Sequence, residues 1–438
     1  MTSPDPLTRP TIAPVDDILA DLQWRGLLAQ TTDREALARE LAEGPMTLYC
    51  GFDPTADSLH IGNAVPLLAL RRFQLAGHKP IALAGGATGF IGDPSGRSAE
   101  RNLASAELIA GRVGKLRAQI EKFLTFGDGP SDAVLSDNLD WIGPMSVIDF
   151  LRDVGKHFPV NQMLARDSVS SRLEGAGLSF TEFSYQLLQS LDMVELYRRF
   201  GCRLQVGGND QWGNITAGLD LLRRTEQAAG HALTFPLVTD GQGNKIGKST
   251  GGGNVWLDPE MTSPYALYQF LINVDDSDVG IYLRLLTFVG QAEVAELDAA
   301  TLERPAARAA QRRLAEEVVA LVHSPDEVLR VQAASAALFG GGELAELDEV
   351  TLVAALAAAP SVTLDAGATV PTVVELLADA LSVSRSEARR AVKEGSAYLN
   401  NVKVTDEAQL PAESDWLHGR FLVLRRGKRS LAVVQRSA

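Results

Sequence analysis

The chain has 438 residues, of which 45% are hydrophobic and 22% charged, with a net charge of −14. That length exceeds what one hydrophobic core supports and predicts roughly two to four domains. Two cysteines, Cys50 and Cys202, exclude a disulfide framework and fit a reducing compartment, and no run of about 18 apolar residues exists to cross a bilayer. The proline-rich opening, MTSPDPLTRPTIAPVDD, reads as neither a signal nor a transit peptide, so a cytoplasmic location with no membrane partner is expected.

In chain order, MTLYCGF (46–52) and PIALAG (80–85) read as strands, with AVPLLALRRFQLAGH between them as a helix. RLQVGG (203–208) reads as a further strand that enters a helix after Asn209. Strand–helix–strand spacing of this size predicts a parallel α/β sheet, whose ligands sit at the carboxyl ends of the strands. Beyond about Pro259 the patterns SPYALYQFLINV, DVGIYLRLLTFV and AARAAQRRLAEEVVALVH are helical. The alanine-rich, proline-punctuated stretch up to Pro371 reads as a linker, and the last segment as helix, helix and strand. The expected division is a catalytic domain over 1–258, a helical domain over 259–355, a linker over 356–370 and a small α+β module over 371–438.

The acidic total argues against a nucleic-acid partner, but the charge is uneven. Pro371 to Ala438 holds 11 Lys and Arg against 8 Asp and Glu, a net +3, which leaves −17 on the rest. A basic tail on an acidic body reads as a module of its own.

The chemistry-bearing stretches fall at strand ends. In DSLHIGN a helix beginning near Gly62 aims free N–H groups at the preceding loop, with His60 and Asn63 as further donors. That pattern suits a phosphate cradle; the plain alternative is a capped helix start with an incidental histidine. Pro66 falls early in this helix, where its missing N–H is expected to cost nothing. In GNKIGKST, Lys245 and Lys248 sit three apart in a Gly/Ser/Thr-rich loop that can bring two cations to a polyphosphate, or can be merely solvated. Ser179-x-x-Glu182 is a capping-box pattern, and on the helix that follows Tyr185, Gln189 and Asp192 share one face. A phenol, an amide and a carboxylate together are unusual for a core, and a ligand can supply their partners; the alternative is a solvated polar stripe. The glycines at 86, 89 and 92 do not have the G-x-G-x-x-G spacing, which rejects a dinucleotide fingerprint.

HIGN followed by KIGKS resembles the paired signatures of the class I aminoacyl-tRNA synthetases. LYCGFDPTADSLHIGN, GGATGFIGDPSGRSAER and VGGNDQWGNI resemble the bacterial tyrosyl-tRNA synthetases from about Leu22 through the catalytic domain. The resemblance implies a Rossmann-like catalytic domain, a helical anticodon-binding domain and tyrosine–tRNA ligation, with ATP carrying Mg as a substrate and no tightly bound metal. It implies that Tyr49 and Asp192 bond the substrate phenol, that Asp93, Tyr185 and Gln189 hold its ammonium, and that Gln211 lies near the carboxylate. Cys50, Gly51, Asp53, Gly62, Gly208 and Asp210, with Lys248, would line the adenylate. Thr55, His60 and Asn63 would meet the ATP phosphates, and Lys245, Lys248, Arg97 and Arg101 would stabilise departing pyrophosphate. The departures are Asn63 where the motif often has His, Gly247 in the lysine loop, and Arg97 where many relatives carry Lys.

The tail resembles the αL RNA-binding motif of a ribosomal small-subunit protein. Ser384-x-x-Glu387 is a capping box, Arg385, Arg389 and Lys393 fall on one helix face beside Arg390, and Arg425, Arg426, Lys428 and Arg429 form a second basic cluster. Both suit a phosphate backbone; the alternative is a solvated basic surface. Implied partners are L-tyrosine, ATP, the tRNA for tyrosine and a second copy of the chain, met through WIGPMSVIDFLRDVGKHF (141–158). Rival readings are a tryptophanyl synthetase, an inactive synthetase-like RNA-binding protein, and a nucleotidylyltransferase, which leaves the tail unexplained.

Overall fold

A computed structural model describes residues 15, 17–93, 104–164, 169, 177–237, 254–340, 343–357, 359–365, 367–427 and 430–437. The chain divides into two compact units, one of residues 1–262 and 271–322, the other of 263–270 and 323–438.

The first unit is built on a six-stranded sheet. Its strands are β1 (Gln30–Thr31), β2 (Thr47–Phe52), β3 (Lys79–Ala84), β4 (Val134–Asp137), β5 (Leu204–Gly208) and β6 (His231–Phe235), in the spatial order β1-β6-β5-β2-β3-β4. All neighbours are parallel except β1, which runs antiparallel to β6 at the edge. From β2 the chain winds outward to β3 and β4, and then returns to the other side of β2 to lay down β5 and β6. The order therefore reverses between β2 and β5, and a crevice opens beyond their carboxyl ends, the usual ligand position in such sheets. The inner strands are almost wholly buried: Leu48, Ile81, Leu204 and Leu233 have no exposed surface.

Local chemistry explains the helices that flank this crevice. The helix Ile61–Leu75 starts one residue earlier than the glycine predicts, with His60 at its N-cap. Pro66 is the sixth helical residue, so its missing N–H takes the i+4 partner from the Gly62 carbonyl; the expectation that this proline costs no hydrogen bond is corrected. Ser179 caps the helix Phe180–Phe200 by accepting from the Glu182 N–H at 3.2 Å, and Gly201, at φ 64°, ends it.

The helices Val279–Leu286, Gln291–Glu303 and Ala309–Val322 belong to the same compact unit as the sheet. Arg25 supplies one reason. Its guanidinium is buried, pairs with Asp21 at 2.9 Å, and donates to the carbonyls of Arg284, Thr287 and Val289 at 3.2 Å. A buried cation is tolerable only with this many partners, so the end of one helix is tied to the start of the chain.

The second unit carries β7 (Ser361–Leu364), β8 (Ala397–Leu399), β9 (Val402–Lys403), β10 (Phe421–Arg426) and β11 (Ser430–Arg436), ordered β7-β11-β10-β8-β9. Its core gathers Val373, Leu376, Leu377, Ala388, Leu399, Leu422, Leu424 and Val434. β7 pairs in parallel with β11. The stretch expected to be a linker thus contributes an edge strand to the tail's own sheet. Its alternation turns Val362 and Leu364 to the core but spans only four residues, the shortest run that such a pattern can signal.

Candidate active site

Tyr49 lies on β2, 1% exposed, among Ile81, Trp141, Leu187, Leu191 and Met193. Burial, and then the charge of Asp192, push its phenol well above the ordinary range, so it remains a neutral donor. Asp192 is 2% exposed on the helix Phe180–Phe200. Its two carboxylate oxygens accept from Trp141 Nε1 at 3.0 Å and Asn138 Nδ2 at 3.2 Å. Burial raises its pKa well above the carboxylate range, against the pull of those two bonds. Beside them, the Tyr49 hydroxyl and Gln189 Oε1 are buried with no hydrogen-bond partner among the described residues. Gln205 Oε1 is in the same condition, and Gln205 is paired with Tyr49 across β2 and β5. Buried polar atoms left unpaired cost free energy, and several around one place mark a binding pocket rather than a core.

The other end of the pocket is a connected polar network. Tyr185 donates to Asp53 Oδ2 at 2.9 Å, Thr88 to Asp53 Oδ1 at 2.7 Å, and Asn138 to Thr88 at 3.1 Å. Gln211 donates to Asp93 Oδ2 at 2.6 Å and accepts from Asn214 at 3.2 Å. The glycine pair 85 and 86 has a steric reason: a Cβ at Gly85 would collide with Asp53 and Thr88, and one at Gly86 with Asp137. The Gly86 N–H donates to Asp137 instead, at 3.1 Å. These glycines let carboxylates approach the backbone and have no dinucleotide role. Cys50 points to the sheet face opposite Tyr49 and is buried, which pushes its thiol up to about 12.

Beyond the carboxyl end of β2, Gly51 near the end of the strand and Thr55 after it are exposed, and His60, Gly62 and Asn63 are half-buried at the helix start. The His60 N–H donates to Asn63 Oδ1 at 3.1 Å, so the asparagine amide caps the helix start. The chain re-enters beside them: Ile61 N–H donates to the Val255 carbonyl at 2.9 Å, Leu257 N–H to Leu59 at 2.8 Å, and the His60 and Trp256 rings are 6.4 Å apart. Gly208 and the exposed Asp210 lie at the end of β5, across the switch point from Asp53. Arg97, Arg101, Lys245 and Lys248 lie outside the described residues.

Residues 41–340 match the class I tRNA synthetases (W and Y), and 352–434 match the C-terminal domain of SYY-like tyrosine–tRNA ligases. The tyrosine–tRNA ligase of Streptomyces coelicolor is 59% identical over 422 residues, 96% of this chain and 99% of that protein. That of Nocardia farcinica is 58% identical over 424 residues, again 96% of this chain and 99% of the relative. The chain belongs to the class I tRNA synthetases, in the tyrosine–tRNA ligase branch. A C-terminally truncated mitochondrial tyrosyl-tRNA synthetase from Aspergillus nidulans superposes with a TM-score of 0.66 at 30% identity, over 72% of this chain and 92% of that one.

In this synthetase, Asn138, Trp141, Thr88 and Gln205 are the pocket residues that sequence reasoning missed. Thr88 lies inside the GGATGFIGDPSG stretch but was given no role there, and the contacts that reveal these residues run to partners 35 or more positions away or across a strand pair. In the tail, the helix Arg385–Lys393 has the reciprocal Ser384/Glu387 capping box, with bonds of 3.1 and 3.2 Å. Its cations are exposed but paired: Arg385 with Glu375 at 3.3 Å, Arg390 with Glu394 at 3.7 Å, Lys393 with Glu407 at 3.4 Å and Arg389 with Glu407 at 4.0 Å. Exposed pairs of this kind are worth about 0–1 kcal/mol, so a phosphate can displace the carboxylate at little cost. Arg425 stacks on Tyr398 at 4.5 Å, and Arg426 is half-buried at the end of β10. Lys428 and Arg429 lie outside the described residues.

Proposed function

We propose that the chain activates L-tyrosine with ATP and passes the tyrosyl group to the 3′ end of its tRNA. A tyrosine carboxylate oxygen attacks the α-phosphorus, the bond to the β-phosphate breaks, and pyrophosphate leaves. A terminal ribose hydroxyl of the tRNA then attacks the adenylate carbonyl, and AMP leaves. No side chain need form a covalent bond; the protein orients the reactants and neutralises developing charge.

The observation that carries this reading is the pair of buried polar atoms on Tyr49 and Gln189, next to the Asp192 carboxyl, that have no partner among the described residues. A substrate phenol fits Tyr49 and Asp192, and its ammonium suits Gln189, Tyr185 and Asp93. Gln211 then faces the reacting carboxylate. Gly51, Asp53, Gly208 and Asp210 line the adenylate, with Cys50 shaping the strand beneath. Thr55, His60, Gly62 and Asn63 meet the phosphates of a magnesium-bound ATP, and Arg97, Arg101, Lys245 and Lys248 complete the pyrophosphate site.

The same reading assigns anticodon binding to the helices of 259–355 and RNA binding to a module that starts before β7 and uses Arg385, Arg389, Arg390, Lys393, Arg425, Arg426, Lys428 and Arg429. It also makes the enzyme a cytoplasmic homodimer. Val147, Ile148, Leu151 and Val160 are 72%, 69%, 50% and 59% exposed, an apolar surface that a second copy would cover.

Pyrophosphate exchange measured across the twenty amino acids tests the reading. Exchange is expected with L-tyrosine and nearly none with L-phenylalanine, which would leave the Tyr49 hydroxyl without a partner and bring no phenol to Asp192. Exchange driven by tryptophan, or by none of the twenty, overturns it.

A further inference from the structure

Gln119 lies near the end of the helix Ala106–Ile120, 6% exposed, and has no place in the pocket described above. Its Oε1 accepts from the Leu59 N–H at 2.8 Å, and its Nε2 donates to Ser58 Oγ at 3.0 Å. Ser58, also buried, donates to the Leu59 carbonyl at 2.7 Å and accepts a second bond from the Asp258 N–H at 3.1 Å. A hydroxyl has one proton to give and two lone pairs to offer, and all three are used here. The two side chains thus join three segments far apart in sequence: the helix 106–120, the residues that lead into His60, and the segment Asn254–Asp258 by which the chain returns beside His60. The Leu59–Leu257 and Ile61–Val255 bonds continue the same seam on the backbone. Asp57 also reaches this helix, through Arg112 at 2.9 Å and Lys115 at 3.1 Å, but that contact is solvent-exposed and weak.

We infer that Gln119 and Ser58 are positioning residues for adenylate formation, which hold His60 in place against the Asn254–Asp258 segment. The inference rests on the reading of His60 as a phosphate-facing group. The buried amide and hydroxyl are out of reach of the reacting atoms, so they act through the placement of the His60 backbone. A helix start that carries a group needed only in the transition state is sensitive to such placement, whereas the tyrosine pocket hangs on β2, β5 and the helix Phe180–Phe200 and is not.

Gln119→Met keeps length and apolar stem and removes both bonds. With active sites counted by the burst of adenylate, kcat for tyrosine-dependent exchange should fall about 10- to 100-fold, the effect of a displacement of about 1 Å. Tyrosine affinity should stay within about twofold, since the ground-state pocket is untouched. Ser58→Ala should behave alike, and Ser58→Thr, which restores the hydroxyl, should recover most of the rate. In the His60→Ala background, Gln119→Met should cost little more, because both changes remove the same interaction. A lower melting temperature with unchanged kcat per site, a weakened tyrosine affinity, or full additivity with His60→Ala would overturn the inference. If the wild-type protein fails to exchange with tyrosine, or His60→Ala has no effect, the reading of the site falls first. Wild type and His60→Ala behaving as expected, with Gln119→Met silent, removes the positioning role alone. Should Gln119→Met not fold, the Ser58 pair carries the same test.

Discussion

Replacing Tyr49 by Phe should separate stability from recognition. In the structure the hydroxyl is buried and has no hydrogen-bond partner among the described residues, so its removal leaves no protein group unpaired. An unsatisfied buried hydroxyl costs about 1–3 kcal/mol, so Tyr49→Phe should leave the substrate-free protein as stable as before, or more stable by up to that amount. The aromatic ring remains to fill the space among Ile81, Trp141 and Met193, which avoids any cavity. With tyrosine the balance reverses. One neutral hydrogen bond worth about 0.5–1.5 kcal/mol is lost, so kcat/KM for tyrosine should drop roughly 2- to 12-fold. Phenylalanine has no phenol to pair, and its kcat/KM should hold or rise. The assays are urea unfolding without substrates and pyrophosphate exchange with both amino acids. A substrate-free protein destabilised by more than about 1 kcal/mol would mean that the hydroxyl has a structural partner, and an unchanged kcat/KM for tyrosine would mean that it faces no substrate. Either result refutes the reasoning.

Asp192→Asn should do the opposite, because it keeps one acceptor oxygen but turns an NH2 group on the second of the Trp141 and Asn138 donors; we expect a loss of unfolding free energy of about 1–3 kcal/mol together with weakened tyrosine binding, measured by the same two assays. Replacing Arg385, Arg389 and Lys393 together by alanine should leave exchange unchanged and reduce the slope of log affinity for tRNA against log salt by about 2–3, read by filter binding at several ionic strengths. His78 is buried, with its Nδ1 accepting from the Met46 N–H at 3.2 Å, and burial holds its pKa below the ordinary 6.5. The unfolded chain binds this proton first, so its contribution is fully present above 6.5 and is lost as pH falls from 6.5 towards the lowered folded value; His78→Gln should flatten that part of a stability–pH profile. Val147→Glu with Ile148→Glu should shift sedimentation from dimer to monomer, and a wild-type protein that sediments as a monomer would dismiss the proposed contact.

The features legible in the sequence are those set by near neighbours. Serine caps three residues ahead of a glutamate, at Ser179 and Ser384, were readable because a cap needs only the first turn of its own helix. The strands β2, β3 and β5 were readable as apolar runs, and the Tyr185–Gln189–Asp192 face followed from helical spacing. Tertiary structure alone decided which distant groups meet. Asp53 pairs with Tyr185 from 132 positions away, Asp192 takes both its donors from the residues that follow β4, and Gln119 reaches Ser58 across 61 residues. Such pairings depend on strand order and register, which no local spacing encodes. The same holds for β7, whose polar–apolar alternation spans only four residues and is fixed as a strand by the edge that β11 offers it. Pro66 shows the limit in the other direction: it lies past the free N–H groups of the first turn whether the helix starts at Ile61 or at Gly62, so its lost bond to the Gly62 carbonyl was already legible in the sequence.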